Sequence, residues 1–221
     1  MEKQFSEKRI KLIIGLGNPG PEYENTYHNA GKLMVDYMLE ICALKDSVLA
    51  SGFRKQASAS CFEISACGKV NLAKTLTYMN ESGKAVKLAM KSLKVNTDSL
   101  MIAHDDSDIE LGKYKISFGS GPAGHRGAQS VIESLGTKNF WRLRIGIRQN
   151  ADKCGLKQQI SAYNISVNQR KNPRKSAAFR MKASEFVLKK ITAADRELMR
   201  SAFEKAYKEI FRYLTLKLIA K

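Results

Sequence analysis

Residues 12–32 read LIIGLGNPGPEYENTYHNAGK, and the role of their glycines decides the fold. Gly15, Gly17 and Gly20 match G-x-G-x-x-G, the turn that in dinucleotide-binding folds carries a strand into a helix and cradles a pyrophosphate. That use needs the helix to begin inside the turn, with an acid ending the next strand about 20 residues on. Here Pro19 and Pro21 straddle the third glycine, EYENTYHN has no apolar stripe, and a helical pattern starts only near Gly31. Asp36, the acid at a suitable distance, falls inside that helix. The glycines are read instead as a tight exit from a buried strand, KLIIGL.

Working outward, strands and helices alternate. Leu33, Met34, Tyr37, Met38 and Ile41 recur at helical spacing. Residues 58–76 suggest two strands about a turn at Cys67-Gly68-Lys69. A helix is expected over 82–95, with Ser82 as its N-cap. SLMIAHDD reads as a strand ending in acids, KYKISF and WRLRIGI as further strands, and AQSVIESL as a helix stopped by Gly136. A long helix follows Thr192, which with Asp195 approaches a capping box. The expected architecture is a single α/β domain over 1–221, a twisted, mixed, mostly parallel sheet flanked by helices in three layers, α/β/α. Residues 150–182 show little periodicity and are expected to form a basic loop or lid.

Charge narrows the partners. The 221 residues hold 38 Lys and Arg against 21 Asp and Glu, a formal net charge of +17. Such an excess attracts polyanions, nucleic acid first and an anionic membrane surface second. Within 151–182, Lys153, Lys157, Arg170, Lys171, Arg174, Lys175, Arg180 and Lys182 face Asp152 alone. Cys42, Cys61, Cys67 and Cys154 form no CxxC and are expected to be free thiols of a reducing compartment. MEKQFSEKRIK lacks an apolar signal core, and no run approaches transmembrane length. A cytoplasmic protein with no membrane partner is expected.

A second G-x-G-x-x-G, Gly119, Gly121 and Gly124, does lead into a helix, and its backbone amides suit a phosphate, with His125 and Arg126 beside it. The three histidines, His28, His104 and His125, fall in loops or at strand ends among polar residues. The run HDDSD offers His104, Asp105, Asp106 and Asp108 as conceivable metal ligands, but no HExxH or Cys-His zinc spacing supports them. No G-x-S-x-G serine elbow occurs. What remains is a general base acting on water, for which His28 has a suitable intrinsic pKa, with a carboxylate to orient it and Asn18 and Asn80 to hold a carbonyl or a water. So modest a set suits an ester, whose alkoxide leaves with less acid assistance than an amine; the positive field points to an ester carried by nucleic acid.

IIGLGNPGPEYENTYHNAG, KTLTYMNESGKAV, AHDDSD, GHRG and RLRIGI occur in that order, and the set closely resembles the bacterial-type peptidyl-tRNA hydrolases, strongly over about residues 11–147 and weakly again at 185–199. The resemblance implies cleavage of the ester between peptide and tRNA, recycling free tRNA, with no cofactor and no metal. It implies that His28 is the base, that Asp105 orients it, and that Asn18 and Asn80 hold substrate and water. Tyr23 and Met79 would line the cleft for the peptide and the terminal adenosine, and His125 the tRNA-end side. Arg144 would clamp a phosphate of the acceptor stem. The lysine that usually assists falls opposite Ser117, and Lys115, on the same strand face, can compensate. Arg126 replaces a usual asparagine and adds a phosphate-binding fork near the CCA end. The partner is peptidyl-tRNA and the expected state a monomer. A non-catalytic RNA-binding or RNA-processing module of the same fold, and a nucleotide-dependent oxidoreductase, stand as alternatives.

Overall fold

Leu12, Ile13 and Ile14 are apolar on both faces, as a strand covered on both sides requires, and they form the centre of the sheet as β1 (Leu12–Gly15). The computed structural model describes residues 10–45, 54–55, 61–67, 69–149 and 186–215. The basic stretch 150–182 and Cys154 lie outside the described residues.

In chain order β1 is followed by α1 (Ala30–Lys45), β2 (Arg54–Lys55), β3 (Phe62–Cys67), β4 (Val70–Thr75), α2 (Ser82–Leu93), β5 (Leu100–Glu110), β6 (Tyr114–Phe118), α3 (Arg126–Leu135), β7 (Trp141–Arg148) and α4 (Ala193–Thr215). The seven strands lie in the order β2-β3-β4-β1-β5-β7-β6. The four central strands β4, β1, β5 and β7 run parallel, and both edges are antiparallel. Helices α1 and α4 bury Met34, Met38, Met199 and Phe203 against one face. Helices α2 and α3 bury Val86, Ala89 and Val131 against the other. Each such large side chain contributes about 1.5–3 kcal/mol, so both layers are fixed by their apolar stripes. No helix among the described residues is long and apolar enough to cross a membrane.

Several local expectations change. The strand does not end in its acids: β5 continues past Asp106 to Glu110, because β7 pairs alongside with His104 opposite Arg144 and Asp106 opposite Gly146, before an irregularity in the register. Ser82 is the first residue of α2 rather than its cap, and its hydroxyl donates to the Met79 carbonyl at 2.8 Å. Cys42 and Cys67 are not free thiols: the last turns of α1 lie over the end of β3, bringing their Cα atoms to 5.9 Å in a disulfide. Cys61 is free. Half of the expected capping box forms, Thr192 Oγ1 accepting from the Asp195 amide at 3.2 Å; the Asp195 carboxylate turns instead to Tyr27 and Gln149.

The opening glycines serve close approach more than turning. A Cβ on Gly15 would lie 2.4 Å from the Gly31 carbonyl oxygen, and one on Gly31 would lie 2.1 Å from that of Ala103, so both must be glycine for α1 to start against β1 and β5. Of Gly15, Gly17 and Gly20, Gly20 alone takes a left-handed conformation, with φ +100°. The result places the 3-10 turn Tyr27–Asn29 against the middle of β5, where His28 meets Asp105. A later segment straps it there: His28 N–H donates to Val187 at 2.8 Å, Tyr27 N–H to Lys189 at 3.3 Å and Ile191 N–H to Asn25 at 2.8 Å. Phe186 stacks on Tyr27, ring centroids 4.5 Å apart.

Candidate active site

Three helices begin at this edge of the sheet, and each delivers a polar side chain near its start. His28 precedes α1, Asn80 precedes α2, and His125 caps α3, its Nδ1 accepting the Ala128 amide at 3.1 Å. Converging helix N-termini favour negative charge between them.

Asp105 is the hub. It is buried on β5, and a single oxygen, Oδ1, meets His28 Nδ1 at 2.9 Å and His125 Nε2 at 2.8 Å. Burial alone would raise its pKa, but the two imidazoles hold it far below the usual carboxylate range. It is therefore an acceptor, and both rings donate to it. His28 is then the Nδ1–H tautomer, with Nε2 carrying the lone pair. Burial pulls the pKa of His28 down and the charge and hydrogen bond of Asp105 push it up; the net shift is upward. His28, Asp105 and His125 bring ligand-type atoms within 4.8 Å of one another. They are joined by hydrogen bonds, and an ion at about 2.0–2.1 Å from each nitrogen would have to displace both N–H protons.

Asn18 is buried, and its orientation is fixed. Its Oδ1 accepts from the Met79 amide at 2.8 Å, which leaves Nδ2 as the donor end. Asn29 grips the same residue twice, Oδ1 accepting the Asn18 amide at 2.8 Å and Nδ2 donating to the Asn18 carbonyl at 3.1 Å, and Lys32 Nζ donates to that carbonyl at 3.1 Å. Asn80 follows Met79 and is exposed; among the described residues its carboxamide makes no hydrogen bond to the other candidates. Met79 is buried beside Gly127, and Tyr23 meets Tyr78 edge-on with centroids 6.3 Å apart. Arg126 is exposed at the start of α3.

The remaining basic residues lie on the other face of β5, β7 and β6. Lys115 is exposed and stands directly opposite Arg144 in the register. Arg144 is half-buried and its Nε donates to Asp106 Oδ2 at 2.6 Å, so the Nη groups are what it can offer a ligand. The conceivable metal set from HDDSD is not assembled: His104 is sealed against Arg142, Asp106 is taken by Arg144 and the Asp108 amide, and only Asp105 reaches the pocket.

The family model described as peptidyl-tRNA hydrolase matches residues 12–220. The chain belongs to the peptidyl-tRNA hydrolase family. Among its relatives, the peptidyl-tRNA hydrolase of Aquifex aeolicus is 40% identical over 139 residues, 62% of this chain and 69% of that one. That of Bordetella petrii is 40% identical over 154 residues, 70% and 71% of the two chains. A crystal structure of peptidyl-tRNA hydrolase from Acinetobacter baumannii matches with a TM-score of 0.66 at 26% identity, covering 96% of this chain and 91% of that one.

Sequence reasoning on this peptidyl-tRNA hydrolase family member missed three residues at the site. Asn29 was visible only as the letter after His28, and Lys32 as an ordinary helix lysine. Arg142 is fully buried, which strand alternation does not reveal, since Arg144 shares its face and stays half-exposed. His104 was expected among polar groups at a strand end; it lies inside β5 and is fully buried.

Proposed function

We propose that this protein hydrolyses the ester linking peptide to tRNA in peptidyl-tRNA, with His28 as general base. Nε2 of His28 removes a proton from water, and the hydroxide formed attacks the ester carbonyl. The Asn18 Nδ2 donor, held by Met79 and Asn29, stabilises the oxyanion. Asp105 stays ionised throughout, keeping the imidazole in its Nδ1–H form and stabilising the imidazolium. Collapse breaks the ester C–O bond, and the proton from His28 goes to the departing ribose oxygen. The products are the peptide carboxylic acid and tRNA with a free terminal hydroxyl.

Asn80, at the exposed rim, orients water or the peptide. Tyr23 and Met79 supply the wall for the peptide and terminal adenosine, and His125 and Arg126 border the CCA end. Arg144 through its Nη groups, with Lys115 opposite, takes a phosphate of the acceptor stem. The protein acts as a monomer in the cytoplasm. The basic stretch 150–182 serves as a further electrostatic arm.

The observation that carries this reading is the His28–Asp105 bond beside an asparagine whose amide orientation is fixed by the backbone. The test is release of labelled peptide from peptidyl-tRNA by the wild type and by His28→Ala. Release by the wild type that His28→Ala abolishes, with tRNA still bound, is expected. Binding without release by the wild type would instead identify a non-catalytic RNA-binding module.

A further inference from the structure

β5 carries a histidine that the reaction leaves unused. His104 is fully buried, one residue before Asp105, and its Nδ1–H donates to the Asp105 carbonyl at 2.6 Å. Its Nε2 receives Arg142 Nε at 3.0 Å, with Nη2 at 2.8 Å. A guanidinium only donates, so Nε2 bears no proton and the ring is neutral. Arg142, also fully buried, gives Nη1 to the carbonyl of Gly121, in the loop that leads to His125. The His104 and His125 rings lie 4.4 Å apart.

This is a costly way to place a cation. Its hydrogen-bond partners among the described residues are a neutral ring and a carbonyl, while the nearby Asp106 is bonded to Arg144. An apolar residue of similar size in such a place is often neutral or stabilising, so packing alone does not account for an arginine.

We propose that Arg142 is a positioning residue that, through His104 on one side and Gly121 on the other, holds Asp105 and His125 so that one carboxylate oxygen serves both His125 and His28. Without the guanidinium, His104 Nε2 is free to take the proton. The Asp105 carbonyl then loses its donor, the Gly121 loop loses its tether, and the 2.9 Å and 2.8 Å contacts of Asp105 loosen. His28 would feel less of the Asp105 charge. The other groups facing His28 are His125 and Arg126 at the start of α3, and the strap, which meets it through the Val187 carbonyl and carries exposed Lys189 and Lys190. Weakening Asp105 leaves Arg126 as the main charged influence, and it acts to lower the His28 pKa.

The kinetic part rests on the hydrolytic reading above; the structural part does not. Nitrogen-15 NMR of the full-length protein without substrate gives the first test. The wild type should show His104 as the Nδ1–H tautomer, without titration between about pH 5 and 8. An Nε2–H tautomer, or protonation in that range, would overturn the proposal. In Arg142→Met the His28 midpoint should fall by roughly one pH unit, and the acidic limb of kcat/KM should move down with it. The kcat should fall roughly ten- to a hundredfold, by analogy with the loss of a group that orients a metal-bound histidine, with KM little changed. Arg142→Lys, which keeps the charge and some donors, should recover part of both effects. A folded Arg142→Met protein with an unchanged His28 midpoint sinks the proposal. So does a loss of rate that tracks only a loss of folded protein. If Arg142→Met does not fold, the wild-type tautomer and Arg142→Lys still decide. Should peptidyl-tRNA not be the substrate, the spectroscopic outcomes stand unaltered.

Discussion

The two faces of β5 treat neighbouring side chains in opposite ways. On one, Asp105 reaches into the pocket and bonds two imidazoles, raising the pKa of His28. On the other, His104 is shut in against Arg142, and burial, His125 and the guanidinium hold its pKa far below the usual histidine range. The same residue type thus has its pKa raised when paired with a carboxylate and lowered when paired with a cation. Alternation along one strand is enough to separate the two environments.

The comparison can be broken most forcefully at His28. His28→Ala should lower kcat by roughly 10²–10⁴-fold, while tRNA affinity, measured by filter binding, stays within a factor of about two. Retained multiple turnover would remove His28 as the base.

Asp105→Asn should have the next largest effect, roughly a hundredfold in kcat, and it changes the pH profile in a fixed direction. The active base is unprotonated, so a raised pKa puts the acidic limb of wild-type kcat/KM above the ordinary histidine value of 6.5. Removing the negative charge should move that limb to lower pH. A limb that stays in place would mean that another group titrates.

Arg144→Ala should weaken tRNA binding and lower Tm together, because it leaves the carboxylate of Asp106 buried without its cation. Restoring Tm with Asp106→Asn in the same chain, while binding stays weak, would separate the two roles. Lys115→Ala gives the smallest change: Tm constant, and a log–log salt slope of tRNA binding reduced by about 0.7–0.9 for one lost phosphate contact. An unaltered slope would exclude Lys115 from the clamp.

Legibility in the sequence followed the range of the interactions. Strand and helix periodicity located β1, β3, β4, β6, β7 and the four helices, because each depends on its own apolar pattern. The last residues of β5, 107–110, were missed because the acids before them look like a strand end; pairing with β7 as far as Glu110 opposite Arg148 keeps them in the sheet. The ordered motifs gathered His28, Asp105 and His125, which the fold joins by hydrogen bonds, and Asn18, which is held by the neighbour of His28, Asn29. Arg142 was not legible: its partners are His104 on β5 and the Gly121 carbonyl of the Gly-rich loop, neither of which WRLRIGI itself reveals. Nor was the pairing of Cys42 with Cys67, which needs the crossing of α1 and β3.

The strap has a consequence for the order of events during synthesis. The turn that carries His28 takes its backbone partners from residues 187–191 and the stacked ring from Phe186, all made long after it. A chain growing from its amino end therefore emerges with His28 unanchored. The turn reaches its final place only once the segment before α4 has been made and has folded back onto it.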